Sequence, residues 1–514
     1  MRTSPELAVF ASGVTSMGLE ILAGRLLAPA FGSSVFVWGS VIGVFLIALS
    51  LGYAVGGRRA AKQANRRALV SLLAGGAVFT AFLVVGDNLI ISFAESIPLP
   101  TRYAAILPVA ILFGPLTFLL GFVSPYVAEL STVESHGSAS GRVYAVGTVG
   151  SIVGSFATTF VLIPSMELWV IEAVFAVFLV AAAGLVAETD PRAIAEVGLA
   201  AVVVLAAIVV SIYGVSGTGQ VIYEDQTAYS ELEVVDANGE RTLYLDGVPH
   251  SAIYTDDRQG YVFTYTRYAH LSLLMQDDVD KVLFIGGGGF TQPQRFVEEY
   301  PGVEVDVVEI DPGVVTAAKQ YFGLQESERL QVHVQDGRTY LEQTNETYDV
   351  IVLDAYQRDR VPFHLTTVEF MQSVDDHLDE DGTVVANTIG ARTGPGSRFW
   401  RAEYKTMRQV FPHAYAFPTA DTSFNQNIEL VATKRQDGFT QGELRELNAE
   451  RNVGVPLSDA ITRYQSAEDI DTSDVPVLTD AHAPVDSLLA EQVGEKYVVV
   501  RTNGTDNQTT TAAA

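Results

Sequence analysis

Four short stretches of this chain carry the residues best suited to chemistry. A run of glycines, Gly286, Gly287, Gly288 and Gly289, follows the apolar segment Lys281–Ile285. Glu309 lies at the end of Val303–Ile310, Asp336 and Gly337 follow Leu330–Val334, and Asp354 follows Tyr348–Leu353. A turn built only of glycine lets the backbone come close to a bound ligand, where a Cβ would collide. An acid about 20 residues further on is placed to take the ribose hydroxyls of an adenine nucleoside. Asp336 is suited to accept from an exocyclic amine, and Asp354 stands where ligands of open α/β sheets collect. The turn G-G-G-G-F lacks the G-x-G-x-x-G spacing of a dinucleotide site, so the order of strands, glycines and acids carries more weight than the turn itself. The competing readings are a plain tight turn, and carboxylates that cap helices or face water. His364, ten residues past Asp354, suits either a cleft or a surface loop.

Such residues need an α/β sheet to hold them. From residue 281 onward, short apolar strands alternate with helical stretches at Gln292–Tyr300 and Pro312–Tyr321, the pattern of an α/β sheet. Beyond Asp354 the pattern predicts a helix over Phe363–Leu378, a strand over Thr383–Asn387, a helix over Phe399–Val410 and a last strand over Ile428–Thr433. Gln441–Arg451 reads as helix, 466–475 as an acidic linker, and the Thr/Asn/Ala-rich tail 502–514 as disordered. Ahead of the sheet, Val221–Tyr223, Glu231–Val235 and Arg241–Leu245 alternate as strands between turn residues, predicting a small antiparallel β unit over 220–270.

The first 219 residues are of another kind. They carry 10 Lys+Arg and 11 Asp+Glu, whereas residues 220–514 carry 22 and 49. The chain of 514 residues is 48% hydrophobic and 18% charged, with mean hydropathy +0.24, which excludes a disordered or fibrous protein. Seven segments, at roughly 7–28, 35–57, 69–93, 104–127, 143–163, 168–187 and 194–214, have the ~20 apolar residues needed to cross a bilayer. The lipid bilayer is therefore the first expected partner. The first segment is no cleavable signal, because it runs directly into a second span. Arg58, Arg59, Lys62, Arg66 and Arg67 mark a cytoplasmic loop, and an odd number of crossings then places the soluble half on the extracytoplasmic side. Glu20 and Arg25 inside the first span read either as a polar pathway or as an interhelical pair. Gly52, Gly56 and Gly57 read as close helix packing, or as a weak likeness to the loop after the second helix of major-facilitator transporters.

The acidic half, in a chain with only six Lys, argues against nucleic acid as a partner. It suits either attraction of cations such as polyamines or solubility in high salt. The absence of Cys excludes disulfides, thiolate metal sites and a Cys nucleophile. No metal is expected. The sequence is compatible with a homo-oligomer and does not set its order.

The runs VLFIGGGGF, VDVVEID, VHVQDGRTYL and YDVIVLDAY resemble the spermidine synthase, or polyamine aminopropyltransferase, family. LYLDG within 222–270 resembles that family's N-terminal β domain. SGVTSMGLEILAGRLLAPAFG, VPFHLTT and VLTDAHAPVDSLL resemble the membrane-fused branch described as fused major-facilitator/spermidine synthase proteins. The resemblance implies four regions: a transmembrane helical domain at 1–219, a small β domain at 220–270, a Rossmann-like domain of the S-adenosylmethionine-dependent methyltransferase type at 271–435, and a C-terminal extension at 436–514. It implies transfer of an aminopropyl group from decarboxylated S-adenosylmethionine to a small amine such as putrescine. Asp354 then stands at the family's base, and Glu309 and Asp336 at its nucleoside positions.

Departures from the family pattern bear on the substrate. Gly289 stands where the family has the Asp of G-G-G-D-G, and Gln357 where D-S-x-D-P has its second Asp. His250 replaces the Gln after L-D-G, and Thr264, Tyr265 and Thr266 replace Tyr-Gln-Glu ahead of His270. His250, Gln357 and His364 are therefore the candidate substrate contacts, with Asp256, Asp257, Asp359 and Glu369 as possible substitutes for the missing acids. The adenosyl pocket is retained and the polyamine pocket altered. Two alternatives follow: methyl transfer from S-adenosylmethionine itself, and a non-catalytic membrane sensor or transporter accessory.

Overall fold

The computed structural model describes the chain except residues 1–4, 33, 96, 98, 132–135, 214–218, 257–259, 357–359, 452, 491, 493–496, 504–505 and 514. The chain divides into two compact units, Met1–Gly217 and Thr218–Ala514. Among the described residues of the first, six helices are long and apolar enough to cross a bilayer: Glu6–Phe31, Val35–Gln63, Arg66–Ala94, Ser140–Ser165, Leu168–Ala187 and Pro191–Ile212. The span expected at 104–127 is instead a bent pair, Arg102–Leu112 and Gly114–Leu130, turning by 54°. Pro115, in the first turn after the break, explains the bend: it lacks an N–H, and its ring clashes with the preceding turn.

Glycine sets how closely these helices approach. A Cβ on Gly150 would lie 2.4 Å from the Phe10 carbonyl oxygen, and one on Gly154 would lie 2.2 Å from that of Val14. Gly52 meets the Phe118 carbonyl in the same way, at 2.4 Å, which supports close packing as its role. Ion pairs gather one end of the unit. Glu6 pairs with Arg142 at 3.4 Å, Arg66 with Glu188, and Arg67 with Glu196 at 2.7 Å.

The second unit opens with an antiparallel sheet in the order β1-β2-β3-β4: β1 Gln220–Gln226, β2 Glu231–Ala237, β3 Glu240–Leu245 and β4 Val248–Tyr254. Sequence reading missed β4. Its Pro249 sits at a register shift opposite Tyr244, where a missing N–H is tolerated. The main sheet has seven strands: β5 Lys281–Ile285, β6 Glu304–Glu309, β7 Leu330–Val334, β8 Tyr348–Leu353, β9 Leu378–Gly390, β10 His413–Pro418 and β11 Gln426–Thr433. Their order is β10-β11-β9-β8-β5-β6-β7. β7, β6, β5, β8 and β9 run parallel, and β11 runs antiparallel to both β9 and β10. This is a Rossmann-like sheet of the methyltransferase type.

Strands of the parallel core are buried on both faces, so they read as apolar runs rather than alternations. Val282 and Phe284 join one core with Leu232, Val234 and Leu243 of the small sheet, while Leu283 and Ile285 join the opposite core with Val308 and Ile351. From β5 the chain winds outward through β6 to β7, then returns to β8 on the other side. The boundary between β5 and β8 is thus a topological switch point, where ligands of open sheets collect at the strands' carboxyl ends.

Two expectations need correction, and one strand is added. The helix expected over Phe363–Leu378 splits into a short turn, Phe363–Leu365, and a helix, Val368–Asp376, because the Thr367 side chain caps a new start by accepting from the Phe370 N–H. β10 has no counterpart among the strands expected from sequence; its alanines, Ala414 and Ala416, give little strand signal, and pairing with β11 decides it. The tail expected to be disordered forms a hairpin, β12 Val498–Asn503 with β13 Asp506–Ala513. Val498, Val499 and Val500 are buried there, and β-branched threonines pair opposite Val500 and Arg501.

Candidate functional site

Two elements meet at the switch point. Hydrogen bonds from Gly286 N–H to the Val308 carbonyl and from Asp354 N–H to the Ile285 carbonyl, both 2.8 Å, carry the sheet's order past the strand ends. Gly286 has φ +101°, and a Cβ on it would lie 2.5 Å from the Asp354 carbonyl oxygen. The turn thus passes directly against the Asp354 backbone. Gly288 also has positive φ, at +50°. A side chain at Gly287 would strike the Phe290 ring, and a Cβ on Gly337 would lie 2.4 Å from Ile285 Cγ2. At 286, 287 and 337, close contacts within the protein itself require glycine.

Glu309 ends β6 beside this turn. Its Oε2 accepts from the Gly287 N–H at 2.9 Å and the Gly288 N–H at 3.4 Å, and its Oε1 accepts from the Asp311 N–H at 2.9 Å. Burial pushes the carboxyl up, while these amides oppose the shift. Asp354 lies across the turn. Asn387 Nδ2 donates to its Oδ1 at 2.7 Å, and Gln292 Nε2 donates to its Oδ2 at 3.3 Å. Burial pushes the Asp354 carboxyl up to about 7, with the Asn387 amide opposing and the charge of Glu309 adding to the rise. A carboxyl tuned close to neutrality can exchange protons with a substrate.

Asp336 belongs to a neighbouring pair. Its Oδ1 accepts from the Thr339 N–H at 2.9 Å, capping the helix Gly337–Gln343, and its Oδ2 takes His364 Nε2 at 2.9 Å. Burial would raise its pKa, but the Thr339 amide and His364 hold it below the usual carboxylate range. His364 therefore lines up with Asp336 rather than with Asp354. His250 lies on β4, where burial and then Arg360 lower its ring to about 4, leaving it neutral at pH 7. Its backbone carbonyl accepts from the Tyr265 hydroxyl at 3.1 Å. Gln357, Asp257 and Asp359 lie outside the described residues. Asp256 is exposed, and Glu369 accepts from the Asp480 N–H, so neither is drawn to Asp354 by a hydrogen bond.

The structure thus brings Gly286, Gly287, Gly288, Glu309 and Asp354 together and sets Asp336 with His364. Sequence reading missed four members of the site. Ser251 of β4 accepts from the Gly289 N–H at 2.9 Å, and a Cβ at Gly289 would lie 2.7 Å from the Ser251 Cβ. Asn387 and Gln292 hold Asp354, and Glu429 lies buried on β11. Polar residues inside apolar strands, as in VVANTI and NIELVA, were the available signal. A carboxylate trio elsewhere, Glu224, Glu231 and Glu233 on the small sheet, brings its oxygens within 4.8 Å of one another.

Fold and site together define a methyltransferase-type sheet with acids at the switch point. The spermine/spermidine synthase domain profile matches residues 263–432. Polyamine aminopropyltransferase of Vibrio vulnificus is 29% identical over 284 residues, covering 53% of this chain and 92% of that protein. The enzyme of the same name from Moorella thermoacetica is 30% identical over 207 residues, covering 39% of this chain and 70% of its own length. Among solved structures, a probable spermidine synthase from Corynebacterium glutamicum aligns with 22% identity and TM-score 0.44, over 51% of this chain and 97% of that one. The chain belongs to the spermine/spermidine synthase family, whose named relatives are transferases.

Proposed function

We propose that this protein is a membrane-bound aminopropyltransferase that uses decarboxylated S-adenosylmethionine and a putrescine-like amine. The observation that carries the reading is a group of carboxyls, Glu309 and Asp354 at the switch point and Glu429 two strands away on β11; Glu309 and Glu429 are buried and Asp354 half-buried, and no Lys or Arg forms an ion pair with any of them among the described residues. Such a site favours cationic ligands, because a buried charge is tolerated when a partner arrives with it. The glycine turn also fits an adenosyl group, since Gly287 and Gly288 already present their backbone to the Glu309 carboxylate.

In this reading Glu309 takes the ribose hydroxyls. Asp336 keeps lone pairs for the adenine amine beside His364, and Asp354 serves as base. The co-substrate supplies a sulfonium whose adjacent methylene is open to in-line attack. The acceptor reaches the site as an ammonium ion without a lone pair, so Asp354 must first remove a proton. The amine nitrogen then forms the new N–C bond as the S–C bond breaks, and neutral methylthioadenosine leaves. Asn387 fixes the Asp354 carboxylate by donating to Oδ1, which leaves the oxygen beside Gln292 to receive the proton.

Gly289 favours one competing reading. Ser251 occupies the space of the family's aminopropyl-binding Asp, so no acid there opposes the carboxylate of ordinary S-adenosylmethionine. Full-length protein in detergent, offered each co-substrate with 1,4-diaminobutane, separates the two. Methylthioadenosine as product supports aminopropyl transfer; S-adenosylhomocysteine alone replaces it with methyl transfer.

The ion pairs of the first unit support a sidedness for this reading. Glu6 and Arg142, and then Arg66 and Glu188, place four helix ends together at the basic-loop end. The bent pair then counts as a crossing, and Pro191–Tyr213 leads away from the basic loop. With that loop cytoplasmic, the second unit is extracytoplasmic. A reporter fused after Ala514 checks this: protection from external protease in intact cells would reverse the assignment.

A further inference from the structure

We infer that Glu429 supplies the second carboxylate of the acceptor site, taking the distal ammonium of a linear diamine whose other nitrogen is presented to Asp354. The inference rests on the aminopropyl-transfer reading and names its substrate class. Strand register sets the geometry. Glu429 on β11 stands directly opposite Asn387 on β9, so both side chains leave the same face of the sheet, and Asn387 is the residue that holds Asp354. Asn427, two residues before Glu429, shares that face and donates to Asn387 Oδ1 at 2.9 Å. The Tyr497 hydroxyl donates to Asn427 at 2.8 Å. Tyr497, Asn427, Asn387 and Asp354 thus form one connected row. Glu429 stands beside it, 2% exposed, with Oε1 buried and lacking any hydrogen-bond partner.

A buried carboxyl without a donor, with Phe417 as its cross-strand neighbour on β10, is destabilising, so it points to a ligand that brings one. Burial holds the Glu429 carboxyl well above its ordinary value, and the charge of Asp354 adds to this. The charges of Asp354 and Glu429 both reach Tyr265, which marks one shared environment. Phe263, Tyr265, Ile389 and Tyr497 pack into an apolar cluster on the same side, suited to the methylenes between two nitrogens. Glu429 thereby compensates for the acids missing at Gly289 and Gln357. When a dication binds, the distal nitrogen keeps its proton and Glu429 releases its own to pair with it.

The test compares 1,4-diaminobutane with 1-aminobutane, which has the same chain length and no distal nitrogen, using full-length protein in detergent and methylthioadenosine release as readout. Glu429→Gln is expected to raise KM for the diamine about 10- to 100-fold, the worth of a hydrogen bond to a charged group. KM for the monoamine and affinity for decarboxylated S-adenosylmethionine should stay unchanged, which also shows that the variant is folded. An unchanged diamine KM in E429Q overturns the assignment while leaving aminopropyl transfer standing. No methylthioadenosine from the unmutated protein with either amine overturns the aminopropyl reading itself, and the assignment with it. Calorimetry on the unmutated protein in two buffers supplies a second measurement if E429Q misfolds. More protons should be released on binding the diamine than the monoamine, and equal release overturns the assignment.

Discussion

Replacing Asp354 by Asn separates the catalytic demand at this position from its structural cost. Burial raises the Asp354 carboxyl from 3.8 to about 7. At about 1.36 kcal/mol per pKa unit, the ionised group costs the folded protein at most about 4 kcal/mol. The sign is that of a raised folded-state pKa: relative stability is fully present below about pH 4 and is lost as pH rises through about 7. Asn cannot ionise, so D354N should melt higher than the unmutated protein at pH 8.5, and the gap should shrink at pH 5. With about 2–4 °C per kcal/mol for a domain of this order, the rise reaches at most about 16 °C. The neutral side chain also fits. Asn387 can still donate to its oxygen, and the Gln292 amide can turn so that Oε1, now buried without a partner, accepts from the new amide. Transfer should nevertheless fall by about 10²- to 10⁴-fold, the range for a lost general base. The assays are thermal melting of the full chain at the two pH values and methylthioadenosine release. Turnover within tenfold of the unmutated protein, or a melting gap independent of pH, would refute the reasoning.

Glu309→Gln should weaken binding of decarboxylated S-adenosylmethionine by about 10- to 100-fold in calorimetry, because a charge-assisted acceptor for two hydroxyls is lost. Gly289→Asp, which restores the family's residue, should destabilise the protein through contact with the Ser251 Cβ at 2.7 Å; thermal melting should show recovery when Ser251→Gly is added. Gly154→Val should prevent assembly of the helical first unit, since its Cβ would lie 2.2 Å from the Val14 carbonyl oxygen, and loss of monodisperse protein in detergent chromatography is the readout.

How far the site could be read before its structure differs from residue to residue. Glu309, Asp354 and the glycine turn were legible because they punctuate strands: an apolar run ends, and a residue unsuited to a buried strand begins. Such breaks are local, and the parallel sheet then requires them to share one edge. The long apolar helices were legible for a similar reason, since about 20 consecutive apolar residues have few other stable arrangements. Ser251, Asn387 and Glu429 were not legible as site residues, because each lies inside a strand and meets its partner through pairing between distant segments. Asn387 and Glu429 are 42 residues apart and become neighbours only when β11 runs antiparallel to β9. His364 shows the same limit from the other side: its spacing from Asp354 suggested one cleft, while the helix cap at Asp336 offered it a nearer carboxylate. The sequence by itself determined which strand ends carry acids, because that depends on the order of apolar runs. Only the tertiary structure decided which side chains stand beside those acids, because cross-strand register joins residues that no local pattern relates.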